Sequence, residues 1–122
     1  MAIKKILVIE DNVLNMKLVV TLLKLSKYHI LEATDAEDGL KLAQEHRPNL
    51  ILMDIHLPGM NGLQATQIIK GDSKLKGVPV VALTSYVMEG DEEKIIEAGC
   101  DGYIPKPIDT RNFIETITTY LD

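Results

Sequence analysis

The 122-residue sequence holds one cysteine, Cys100. A lone cysteine forms no internal disulfide, and nothing else points to an oxidising compartment. Cys100 reads as a small buried apolar residue rather than a reactive thiol. No apolar run approaches the roughly 20 residues that cross a bilayer. Two lysines near the N-terminus precede an apolar run of only strand length, which is not a signal peptide. Together these features predict a cytoplasmic protein. Excess basic charge is missing too: the net charge is −5, and no Lys/Arg cluster offers itself to a phosphate backbone, which argues against a nucleic-acid partner. There is no repeat of fixed period, no low-complexity stretch and no linker. One domain over residues 1–122 is expected, long enough to bury roughly two-thirds of its unfolded surface without staples.

What is present is a rhythm. Stretches at residues 3–9, 28–33, 50–54, 78–83 and 102–104 read as strands, the second and fifth of them short, and helical patterns separate them. Asn12 is placed to cap a helix reaching about Ser26, with Leu14, Leu18, Leu22 and Leu25 at helical spacing and Val19 and Leu23 widening the stripe. Thr34-Asp35 opens a second helix, whose acids at 35, 37 and 38 suit the positive end of its dipole. It stops before Pro48. A third helix covers Gly62 to about Lys70. Asp91-Glu92-Glu93 form the first turn of a fourth, with Gly90 near its start. Asp109 caps a last helix carrying Phe113, Ile114, Ile117 and Leu121 inward. Strand and helix alternate five times with short connections, which predicts a doubly wound α/β domain with a mostly parallel sheet.

The organising stretch is Leu50-Ile51-Leu52-Met53-Asp54. It reads as a strand buried on both faces that ends in a carboxylate. Ends of parallel strands share one edge of the sheet, where open α/β folds bind ligands. That edge collects Glu10 and Asp11 from the first strand, Asp54 from the third, Thr84 from the fourth and Lys106 from the fifth. Each group alone has a plainer use: Asp54 as a cap for the turn before Pro58, Glu10-Asp11-Asn12 as helix capping, Lys106 as a solvated lysine, Thr84 as an ordinary strand end. Their convergence is the informative feature. Two unit charges about 4 Å apart repel by roughly 4 kcal/mol at an effective dielectric near 20, and a hard cation such as Mg²⁺ relieves three such carboxylates. A carboxylate nucleophile, Mg²⁺, an ammonium and a hydroxyl are the parts for taking up a phosphoryl group as an aspartyl phosphate.

Four motifs then carry a family resemblance: Glu10-Asp11-Asn12, the run from Asp54 through Pro58-Gly59 to Gly62, Thr84-Ser85, and Lys106-Pro107. In this order and spacing the whole chain resembles the receiver domain of bacterial two-component response regulators, the CheY-like superfamily. Asn15, the Met88–Glu93 segment and Gly99-Cys100 look most like a stand-alone, single-domain member. The resemblance implies a flavodoxin-like (βα)5 fold with strand order 2-1-3-4-5. It makes Asp54 the phosphoacceptor, and Asp11, Asp54 and the His56 backbone carbonyl the Mg²⁺ ligands, with Glu10 acting through a metal-bound water. Thr84 and Lys106 become the switch hydroxyl and lysine, Tyr103 the switch aromatic, and Lys106-Pro107 a cis peptide. His56 and Tyr86 fall at the positions that tune dephosphorylation, and both are bulky. The implied upstream partner is a histidine kinase or phosphotransfer protein. The implied downstream partner is a protein bound at the fourth helix, fifth strand and last helix, with the chain a monomer or a weak phosphorylation-dependent dimer. Such a chain is a switch, not an enzyme. Two alternatives remain: a pseudo-receiver that binds partners without phosphorylation, and a Mg²⁺-dependent aspartyl-phosphate phosphohydrolase. The second usually carries an acid/base Asp where this chain has His56.

Overall fold

The computed structural model describes residues 3–85 and 91–121. Five strands alternate with five helices: β1 Lys5–Ile9, α1 Val13–Lys24, β2 His29–Ala33, α2 Ala36–His46, β3 Leu50–Asp54, α3 Gly62–Gly71, β4 Val80–Thr84, α4 Asp91–Glu97, β5 Gly102–Pro105 and α5 Phe113–Leu121. The strands form one parallel sheet in the order β2-β1-β3-β4-β5. That is the expected doubly wound arrangement.

β1, β3 and β4 read as almost unbroken apolar runs because both faces of the sheet are covered. Leu7, Ile9, Ile51, Met53 and Ala82 point to the side packed by α2, α3 and α4. Ile6, Val8, Leu50, Leu52, Val81 and Leu83 point to the side packed by α1 and α5. The alternation is the two-residue period of a strand. β3 and β4 are buried at every position, which puts their last residues, Asp54 and Thr84, at the floor of the edge rather than on the surface.

Local capping follows the sequence closely. Asn12 Oδ1 accepts the Asn15 N–H at 3.0 Å, and Asp35 Oδ1 accepts that of Asp38 at 2.8 Å. Asn61 and Gln64 form a reciprocal capping box, which satisfies two of the donors left open at the start of α3. α2 ends at His46, with Arg47 in the left-handed region (φ 47°) before Pro48.

Two expectations need correction. The inward stripe of α1 is not the leucine row. Val19 and Leu23 are buried as expected and Met16 and Val20 join them, whereas Leu14 (77%) and Leu25 (76%) are exposed, together with Val13 (78%). Leu22 alone of the row packs partly against the core. Asp109 does not cap α5. Its Oδ1 accepts the Arg111 N–H at 3.0 Å inside a turn, and the helix starts only at Phe113, where the apolar period begins.

Cys100 is buried, with its thiol 3.7 Å from the Thr66 hydroxyl. Burial pushes the thiol pKa above its ordinary value, so little of the reactive thiolate exists at neutral pH. A thiol-reactive disulfide reagent is expected to leave Cys100 untouched in the native chain and to modify it at once in denaturant. Rapid native labelling would contradict this placement.

Candidate functional site

Parallel register brings the predicted groups to one edge. Asp54 pairs with Leu83 and Thr84 with Pro105, so Asp54, Thr84 and Lys106 lie at neighbouring strand ends. Ile9 pairs with Met53, which sets Glu10 and Asp11 beside Asp54. One carboxylate oxygen each from Glu10, Asp11 and Asp54 come within 4.8 Å of one another. Glu10 is fully buried, Asp54 is 4% exposed, and Asp11 faces solvent. Thr84 is fully buried, and its carbonyl accepts the Lys106 N–H at 2.7 Å.

Lys106 reaches into this cluster. Its Nζ lies 2.6 Å from Glu10 Oε1 and 3.5 Å from Asp54 Oδ2. Glu10 Oε2 accepts the Asn12 N–H at 3.2 Å, and Asp54 Oδ1 accepts the His56 N–H at 3.0 Å. One cation does not balance three acids. Burial, and next the adjacent Asp54, push the Glu10 pKa from 4.5 up to about 7. Burial acts in the same upward sense on Asp54, but the Glu10 carboxyl, the His56 N–H and the Lys106 charge outweigh it and hold Asp54 below its ordinary value. The pair therefore splits into a reluctant acid and a committed carboxylate, the form a nucleophile requires.

The residues fit a hard divalent cation. Three carboxylates converge, one of them at the solvent edge where metal-bound waters have room. Glu10 Oε1, although buried against Lys106, accepts no hydrogen bond of ordinary geometry from the described residues. The His56 side chain is exposed at the mouth. The Lys106–Pro107 peptide is cis, as the resemblance implied. Tyr103 is half-buried, and its hydroxyl donates to Glu92 Oε1 on α4. That tether was not foreseen; an acid of the fourth helix facing an aromatic of the fifth strand is visible only once the two elements pack. Tyr86 and Gly90 lie outside the described residues.

Gly62 supports the site in a way the sequence did not announce. It opens α3, and its N–H donates to the Ile55 carbonyl at 3.2 Å. A Cβ at this position would sit 2.3 Å from the Asp54 carbonyl oxygen and 2.7 Å from the Ile55 Cα. Backbone cannot yield as a flexible side chain would. Gly62→Ala is expected to cost about 2 kcal/mol of stability, as overpacking of a close contact does. A denaturant midpoint unchanged from the parent would show that the helix start can shift without loss.

Comparison with known proteins agrees with this geometry. Residues 6–118 match the response regulator receiver domain family. The polar-differentiation response regulator DivK of Brucella anthropi is 48% identical over 118 residues, covering 97% of this chain and 96% of that one. DivK of Brucella melitensis is equally similar. Among solved structures, the receiver domain of the sensor histidine kinase PA1611 of Pseudomonas aeruginosa superposes with a TM-score of 0.90 at 29% identity, over 98% of both chains. It carries a magnesium ion in its active-site cleft. The chemotaxis response regulator CheY4 of Vibrio cholerae shares the fold, with a TM-score of 0.92 at 23% identity over 98% of this chain and 100% of that one. With the strand order, the three-acid cluster and its lysine already in place, a match spanning nearly the whole sequence settles the family: the chain is a member of the response regulator receiver domains.

Proposed function

We propose that the chain is the phospho-accepting switch of a two-component phosphorelay, working in the cytoplasm and taking its phosphoryl group from the phosphohistidine of a kinase or phosphotransfer protein. The observation that carries this is Lys106 set between Glu10 and Asp54, with Asp11 open to solvent beside them.

Asp54 is the acceptor. Its ionised oxygen forms the O–P bond while the donor's P–N bond breaks, and the electron pair leaves on the imidazole, which takes a proton from solvent. Asp11, Asp54 and the His56 carbonyl would hold Mg²⁺, with Glu10 behind a bound water. When bound, Mg²⁺ supplies counter-charge to the phosphoryl oxygens. Lys106 gives up part of its pairing with Glu10 to hold a second oxygen, and the Thr84 hydroxyl moves to a third. Thr84's shift vacates space toward which the Tyr103 ring turns, and this rearrangement favours a minor state that exists beforehand. His56, exposed just past Asp54, crowds the path of attacking water and lengthens the life of the phosphoryl group. Each chain is loaded once and read by a partner, so it acts as a switch rather than an enzyme.

The donor has a landing surface. Val13, Leu14 and Leu18 are exposed along α1, directly after Asp11 and Asn12. An apolar strip beside the acceptor suits docking of a helical phosphodonor.

Intact-protein mass spectrometry tests the chemistry. With acetyl phosphate as donor, the chain is expected to gain the mass of one phosphoryl group when Mg²⁺ is present and none with EDTA. No gain in folded, Mg²⁺-binding protein would overturn phosphoacceptance and favour a pseudo-receiver.

A further inference from the structure

The exposed side of α4 and β5 has a distinct chemistry. Tyr103 forms a ridge between two hollows. One, about 340 Å³, is lined by Glu92, Glu93, Ile96, Glu97 and Tyr103. The other, about 300 Å³, runs along β5 and the start of α5 past Pro105, Pro107, Asp109 and Phe113. Ile96 is 55% exposed in the middle of the first. Its neighbour Ile95 is the residue that turns to the core, which leaves Ile96 facing water among three carboxylates.

The charge on this face has one sign. Glu93 and Glu97 are exposed and make no ion pair among the described residues, while Glu92 accepts from Tyr103. Lys94, the only Lys or Arg of α4, lines a different hollow beside His56 and Asn61. Arg111 is spent on Asp109, with its Nε 3.3 Å from Oδ1.

We infer that this face docks a basic amphipathic segment of another protein, one apolar side chain seating against Ile96 and Tyr103 while flanking Lys or Arg meet Glu93 and Glu97. The inference deepens the reading of this side as the output surface and rests on it. A second copy of this chain fits poorly. A two-fold contact places the same patch against itself, which would set Glu93 and Glu97 against their own kind, and like charges brought together at an interface cost binding energy. The Tyr103–Glu92 bond adds regulation. While it holds, one carboxylate is occupied and the ring stands over the hollow. When the ring turns inward, Glu92 joins the acidic rim and the hollow opens, so the loaded chain binds more tightly.

The test is an NMR titration of the full ¹⁵N-labelled chain with a synthetic amphipathic Lys/Leu helix. A peptide of the same composition, with its leucines scattered around the helix, is the control for charge alone. Both are run on untreated chain and on chain treated with acetyl phosphate and Mg²⁺, and mass spectrometry of the same samples reports loading. Amide shifts are expected at residues 92–97 and at Tyr103, with the amphipathic peptide about tenfold tighter than its scrambled control. Glu93→Lys with Glu97→Lys should weaken binding about tenfold, and Ile96→Ser about threefold. All three positions are exposed, and circular dichroism checks that the variants fold. Equal affinity for the two peptides, shifts centred elsewhere, no binding to either form of the chain, or a dimer in solution that buries Ile96 would each overturn the inference. Failure to load phosphate would overturn phosphoacceptance alone, since the untreated chain still reports whether the face takes the basic helix.

Discussion

The Asp54→Asn chain is expected to gain no phosphoryl group under conditions in which the parent gains one. The substitution keeps shape and hydrogen-bond reach but removes the ionised oxygen that forms the O–P bond. Nothing nearby replaces it. Glu10 is buried behind Lys106 and has its pKa pushed up to about 7. Asp11 is exposed and stands at the rim, away from the contact with Lys106 that marks the phosphoryl pocket. The expected loss is therefore complete rather than partial. The fold should persist, because the His56 N–H can still donate to the side-chain oxygen. Intact mass decides the matter. Uptake retained by the substituted chain would move the acceptor elsewhere, with Asp11 the first residue to examine by peptide mapping. Uptake lost together with the far-ultraviolet signal would point to Asp54 as a structural carboxylate instead.

Most of the architecture was legible because buried parallel strands announce themselves. Five strand-length stretches, three of them apolar runs that end at Glu10, Asp54 and Thr84, were enough to place the edge at which Glu10, Asp11, Asp54, Thr84 and Lys106 meet. What failed was the choice of face on α1. Its sequence, VLNMKLVVTLLK, is apolar nearly all round, so spacing alone supports two stripes. Val19 and Leu23 were placed correctly, but Leu14, Leu18 and Leu25 gave way to Met16 and Val20. The buried set packs against Ile6, Val8 and Leu52, so the position of the sheet rather than the helix's own pattern makes that selection. The start of α5 was missed for a related reason. Asp109 has the chemistry of a cap, but it spends it on Arg111 in a turn. At the site, residue types were visible from sequence while their pairing was not. Lys106 could have belonged to Asp54, and in the folded chain it lies closer to Glu10. The role of Gly62 depends on the distance to a neighbouring backbone, which no local pattern encodes.

That pairing yields the second large effect, a stability profile of unusual sign. Acidic residues that gain partners on folding usually make a protein less stable as pH falls. Glu10 does the reverse. Its carboxyl has a pKa of about 7 in the folded chain against an ordinary 4.5. Between these values the folded state binds a proton that the unfolded state has released, so stability rises as pH falls through that window. At about 1.4 kcal/mol per pKa unit, the full effect is on the order of 3 kcal/mol, reached by about pH 4.5. Asp54 works in the opposite direction, but its folded pKa lies below 3.8, so its contribution is lost only in stronger acid, outside the window. With EDTA present, the parent is expected to melt several degrees higher near pH 5 than at pH 7.5, and Glu10→Gln should remove most of that difference by holding the site permanently neutral at this position. Mg²⁺ at pH 7.5 should recover stability for the parent, since a ligand that binds only the folded state stabilises it by mass action, and should do so less for Glu10→Gln. Differential scanning calorimetry of both chains across the window measures all three. A parent that loses stability steadily from pH 7.5 to pH 5, with Glu10→Gln tracing the same curve, would mean that Lys106 fully compensates Glu10. The cluster would then exert no repulsion for a cation to relieve.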